Sequence, residues 1–161
     1  MKSFKDTMNS AANLDDLKVV PLPAGDYELE ITKIDDAAVT KFERGDIPEG
    51  TEYVAIYLKA VRAIDVDEEE LDQCGDWQEK FLSIDLISQG DITKLLDVAN
   101  DRGLVYDAGL DPNDYIADGQ IDWDEMFKDL TGKHVQGTIV QYVAKSTGNT
   151  GFRVKTTTAL D

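Results

Sequence analysis

The stretch DYELEITKI, residues 26–34, sets Tyr27, Leu29 and Ile31 against Glu28, Glu30 and Thr32. Successive side chains of a strand leave on opposite sides, so this period of two requires one covered face and one wet face. The segment is thereby committed to a sheet packed on one side only. The same period returns in TEYVAIYLKAVRAI, residues 51–64, with Val54, Ile56, Leu58 and Ala60 on one face and Tyr53, Tyr57 and Lys59 on the other. It recurs in WQEKFLSIDLIS, residues 77–88, where Leu82, Ile84 and Leu86 oppose Trp77, Phe81 and Ile87. KHVQGTIVQYVAK and GFRVKTTTAL then read as two strands joined across the Gly- and Asn-rich STGNTG.

Between the third and fourth strands the period changes. In DITKLLDVANDRGL the apolar residues Ile92, Leu95, Leu96, Val98 and Ala99 fall at helical spacing, Asp91 stands where a cap belongs, and Gly103 suits a left-handed stop. DWDEMFKDLTG then predicts a short helix, with Asp122 and Glu125 in capping-box spacing and Gly132 at its end. The expectation is a mainly β chain with α insertions. Five strands with a helical insert between strands 3 and 4 is the chain order of an OB-fold, a small, partly open barrel. The polar first 21 residues, closed by the Pro-x-Pro of Pro21 and Pro23, read as an N-terminal arm, and residues 22–161 as one OB-like domain.

Charge narrows the function classes. The net charge of −17 argues against a large basic surface and against electrostatic attachment to a membrane, and no apolar run approaches a membrane span. The distribution is uneven, however. Residues 65–125 hold 19 of the 33 acids, whereas residues 130–160 hold none and carry Lys133, His134, Lys145, Arg153 and Lys155. A polyanion could therefore be received locally by a protein that is acidic elsewhere.

A single-stranded nucleic acid needs aromatic rings on which bases stack and cations that follow its phosphates. The aromatics placed for this are Tyr53, Tyr57, Trp77 and Phe81 on the second and third strands, with Tyr142 and Phe152 on the last hairpin. The cations are Lys59, Arg62, Lys145, Arg153 and Lys155. Strands favour aromatics for packing alone, and Phe152 alternates away from Arg153 and Lys155, which makes it the weakest member. The joint occurrence of rings and cations in an acid-free stretch is what carries the reading.

Enzymatic motifs are missing. His134, the only histidine, has no nucleophile placed beside it by any motif, and Cys74 lies in an acidic loop that disfavours its thiolate. No glycine-rich phosphate loop and no zinc spacing occur, so no catalytic residue, cofactor or metal is expected. DYIADGQIDWDE comes nearest to a metal motif. Asp114, Asp118, Gly119, Asp122 and Glu125 fit EF-hand positions 1, 5, 6, 9 and 12, but Ile116 occupies a ligand position, and Gly109 and Pro112 interrupt the entering helix. A turn followed by a helix cap explains the same residues.

The segments LPAGDYELEITKIDDAAVT, EYVAIYLKAV and DWDEMFKDLTGKHVQGTIVQYVAKSTGNTGFRVK resemble small tailed-phage proteins of replication or recombination modules. The resemblance covers roughly residues 20 to 157 and rests on a P-x-G-x-Y entry to the first strand, L-x-G-K-x-V before the last hairpin and G-x-R-V-K at its end. It implies an OB-like barrel that binds single-stranded DNA in a host cytoplasm. Where such proteins recruit replication or recombination partners through an acidic tail, the acidic loop of residues 65–76 would serve here. Two other classes fit the composition: a virion structural or decoration protein, and an acidic protein-interaction module that mimics DNA charge. A homo-oligomer is compatible with each.

Overall fold

The computed structural model describes residues 20–41, 48–87, 91–145 and 147–160, so nearly all of the expected arm lies outside the described residues. The period-two strand becomes β1 (Gly25–Ile34), and Tyr27, Leu29 and Ile31 are fully buried. β1 lies between two antiparallel partners, β3 (Glu52–Val66) and β7 (His134–Val143). A two-residue β2 (Ala38–Val39) and β4 (Leu82–Ile87) both pair with β3, and β8 (Thr150–Thr158) pairs with β7.

The path through the sheet is β2-β3-β1-β7-β8, with β4 on the far side of β3. Residues 53–58 of β3 serve β4 and residues 56–66 serve β1. Three register shifts interrupt the β1–β3 ladder, and each extra residue adds local twist, so the sheet curls around its inner face. Among the described residues no ladder joins β4 to β8, so the sheet is not closed.

The inner face holds the core: Ile56, Leu58 and Ala60 from β3, Leu82 from β4, and Val135 and Ile139 from β7. The helix α4 (Trp123–Leu130) adds Met126 and Leu130, four residues apart and both fully buried. Asp122 accepts the Glu125 N–H at 3.1 Å, as expected for its cap. The reciprocal half of a capping box is replaced, since the Asp122 N–H donates to the Tyr115 carbonyl at 2.8 Å. Past the helix, Gly132 has φ 90° and donates to the Ile31 carbonyl at 2.7 Å, which docks the helix end on β1.

The EF-hand-like stretch is a small hairpin of β5 (Ile116–Ala117) and β6 (Gln120–Ile121). Asp118 and Gly119 between them have φ 53° and 75°, the positive pair that a type I′ turn requires. These residues make a reversal followed by a helix cap.

Two expected elements differ. The continuous helix after Asp91 is instead α2 (Ile92–Leu95), a 3-10 turn at Val98–Asn100 and α3 (Leu104–Asp107). Leu95 and Leu104 are nine residues apart, so a straight helix would put them on opposite faces, yet Leu95, Leu96, Leu104 and Val105 are all buried. The chain resolves the conflict by leaving the helix at Leu96 (φ −154°) and pairing Asp97 with Arg102. Gly103 then begins α3 rather than ending a helix. The third strand is also shorter than its pattern, because Trp77–Glu79 forms a 3-10 turn and β4 starts only at Leu82. Trp77 packs inward with its ring centroid 5.8 Å from that of Tyr27.

Gly103 has φ 108°, and a Cβ there would stand 2.7 Å from the backbone of Leu95. Gly103→Ala is expected to lower stability by about 2 kcal/mol or more, since backbone on both sides must shift. Urea denaturation checks this; a variant within 0.5 kcal/mol of the parent (roughly the spread of neutral surface changes) would contradict the close packing of α2 against α3.

Candidate nucleic-acid interface

The outer face of β1 presents Asp26, Glu28 and Glu30, and its neighbours answer each one. Arg62 Nε of β3 donates to Glu28 Oε1 at 3.1 Å, and His134 Nδ1 of β7 lies 2.6 Å from Glu28 Oε2. Because an ionised carboxylate only accepts, His134 must carry its proton on Nδ1. Lys59 Nζ lies 3.8 Å from Glu30 Oε1, and Thr138 Oγ1 donates to Asp26 Oδ1 at 2.6 Å. The His134 hydrogen bond, then Arg62, holds the Glu28 carboxyl below its ordinary value against the opposing effect of burial. Lys59 and Arg62 are thus occupied by the strand beside them.

Tyr57 is half-buried opposite Lys33, and its phenol is pushed up chiefly by a hydrogen bond to Asp35. Asp35 also holds Lys33 at 3.0 Å. Tyr53 is half-buried near the start of β3. The β3 candidates therefore form a charge-compensated surface in which the rings and cations already have partners or cover.

The remaining candidates divide differently. Trp77 and Phe152 pack against the core. Phe81 is 88% exposed just before β4, apart from the hairpin candidates in sequence. Tyr142, Lys145, Arg153 and Lys155 all lie on the β7–β8 hairpin, and all four are exposed. Tyr142 is the cross-strand partner of Gly151 and lies over it, for an added Cβ at Gly151 would fall 2.5 Å from Cζ of the ring. Val140 pairs with Arg153 two residues along, so Tyr142 and Arg153 are diagonal neighbours on the outer face. A register shift between Thr138 and Ile139 leaves Lys155 as the extra residue of β8. Lys145, Arg153 and Lys155 make no salt bridge among the described residues.

Where β4 and β8 face each other, the helical insert lies across the seam. A cleft of about 300 Å³ opens there, bordered by Ile84 and Leu86 of β4, Lys94 of α2, Asp107 of α3, and Arg153 and Lys155 of β8. Thr157 Oγ1 donates to Asp107 Oδ2 at 2.7 Å and ties α3 to β8. Burial raises the Asp107 carboxyl, and the threonine bond opposes that rise. Lys94 reaches Asp91 at 3.1 Å. Lys94 and Asp107 were not among the sequence candidates. Their one signal was position within the insert, which becomes informative only once the insert is seen to break and cross the seam. A second, mainly apolar cavity of about 250 Å³ lies on the other side of α2, against Trp123 and Phe127.

Comparison with protein-family models and with curated proteins returns no match.

The Glu28 cluster fixes a pH dependence. A carboxyl held below its ordinary value contributes stability that is present above the unfolded value and is lost as pH falls through the folded one. Glu28→Gln is expected to cost about 1 kcal/mol at pH 7 and progressively less as the solution is acidified through the carboxylate range. Paired urea melts at neutral and acid pH test this; a cost that grows on acidification would contradict the assignment.

Proposed function

We propose that this protein is a non-catalytic single-stranded-DNA-binding protein with an OB-like fold, acting in phage replication or recombination. Leaving out the short β2, the sheet runs β4-β3-β1-β7-β8, so its main strands, counted along the chain, stand in the order 3-2-1-4-5. That is the strand order of an OB barrel opened between its third and fifth strands, and the β7–β8 connection corresponds to one of the two loops with which such barrels hold oligonucleotides. The observation that carries the reading is the cluster of Tyr142, Lys145, Arg153 and Lys155, exposed and without carboxylate partners among the described residues, in a chain of net charge −17. Bases would stack on Tyr142 while phosphates follow the three cations. The β3 surface is the lesser contributor, because Lys59 and Arg62 would have to leave Glu30 and Glu28 to reach a phosphate.

A second role is favoured by α1 (Glu68–Gln73) in the acidic loop. Asp67 accepts the Glu70 N–H at 3.0 Å, and Glu68, Glu69 and Glu70 are all exposed in the first turn. A basic replication or recombination partner would find there an ordered row of carboxylates rather than a loose loop.

Salt-dependent retention of a labelled oligonucleotide tests the main reading. Tyr142→Ala should weaken binding by about 1–3 kcal/mol, and Arg153→Ala should weaken it and flatten the salt dependence by roughly one phosphate contact. Arg62→Ala should leave affinity nearly unchanged. The absence of binding by micromolar protein in low salt would sink the proposal, and an Arg62→Ala loss equal to that of Arg153→Ala would move the site to β3.

A further inference from the structure

We infer that the cleft at the β4–β8 seam holds one nucleotide unit, its phosphate drawn to Arg153 and Lys155 and its base laid against Ile84 and Leu86. This deepens the reading of the preceding subsection and rests on it. The cations set the sign of the ligand. Three cationic residues line one cleft in a strongly acidic chain; Lys94 is paired with Asp91 at 3.1 Å, whereas Arg153 and Lys155 meet no carboxylate among the described residues. A fourth charged group, Asp107, shares the cleft wall, held there by the Thr157 hydroxyl.

Shape decides between an extended peptide and a compact anion. Some residues of the two edges come within 8 Å, Cα to Cα, whereas a strand inserted at those points would need roughly 4.7–4.9 Å on each side. A peptide strand running the full length of the seam does not fit past those points. The cavity of about 300 Å³ stands at the lower limit of small-molecule sites, which span roughly 300–1,000 Å³. A ligand of that size with both an anionic group and a flat apolar face matches the lining, which places cations beside Ile84 and Leu86. Asp107 adds specificity, since a carboxyl whose charge is disfavoured by burial can meet the polar edge of a base without repelling it as strongly as a solvated carboxylate would. Thr93 and Thr156 add hydroxyls to the same wall. Because Arg153 belongs both to the cleft and to the outer face beside Tyr142, a strand lying on the hairpin would pass the cleft mouth and could turn one nucleotide into it.

Amide-resolved NMR titration of the full chain with thymidine 5′-monophosphate, thymidine and inorganic phosphate tests this. The monophosphate should shift amides of Gly103, Leu104 and Thr156 at low salt, with thymidine and phosphate each binding at least about tenfold more weakly. Lys155→Glu should weaken the monophosphate by about tenfold or more with the remaining amide pattern intact, which shows that the variant is folded. Tyr142→Ala should leave monophosphate binding unchanged while weakening an oligonucleotide. No localised shifts at about 10 mM monophosphate, or phosphate binding as tightly as the nucleotide, would overturn the inference. If oligonucleotide retention survives either of those results, the seam alone is refuted; if retention is absent as well, the broader DNA-binding reading falls with it.

Discussion

Everything in this molecule is arranged about β1, which must bury Tyr27, Leu29 and Ile31 on one side and satisfy Asp26, Glu28 and Glu30 on the other. A strand flanked on both edges by antiparallel neighbours has no freedom to tilt either row away. The inner row gathers β3, β4, β7 and α4 into a core. The outer row places three carboxylates in the middle of an exposed sheet and selects Lys59, Arg62, His134 and Thr138 as their neighbours. Tyr27 joins the two demands, since its buried ring is tolerated only because its hydroxyl donates to the Pro23 carbonyl at 2.7 Å.

The same constraint separates the surface into two electrostatic regimes. Near β1, Lys33, Lys59, Arg62 and His134 each lie within reach of a carboxylate, and the field there is short-ranged. On β7 and β8 beyond Thr138 no acid is near in sequence, and the positive groups face solvent. The two regimes meet at β7, whose near end holds His134 against Glu28 and whose far end holds Tyr142 over Gly151.

Much of this was legible in the residues. Period two located β1, β3, β7 and β8, and the Asp122 cap and Gly132 stop fixed α4, because local hydrogen bonding and one-sided burial decide those elements. The insert differs because the spacing of Ile92, Leu95, Leu96, Val98 and Ala99 reads as one helix stopped at Gly103, whereas burial of Leu95, Leu96, Leu104 and Val105 together breaks the helix at Leu96 and makes Gly103 the start of α3. Trp77 was assigned to the outer face by extending a strand pattern through residues that form a 3-10 turn instead. At the candidate site, the alternation of Arg153 with Phe152 and Val154 is legible in the residues, but Lys155 is the extra residue of a register shift that simple alternation does not anticipate. The pairing of Lys59 and Arg62 is not legible either, because it depends on the register between β1 and β3, and three bulges set that register.

The open seam also bears on self-association. A sheet that ends in two unpaired strands offers a template to other copies of itself, and natural sheets suppress this with bulges, edge lysines and covering helices. All three meet here: α2 and α3 lie across the gap, β8 is kinked by an extra residue, and that residue is Lys155. A second chain approaching β8 edge-on would set its own Lys155 and Arg153 against like charges. The side chains that would draw in a polyanion would therefore also keep the protein from polymerising through its own edges.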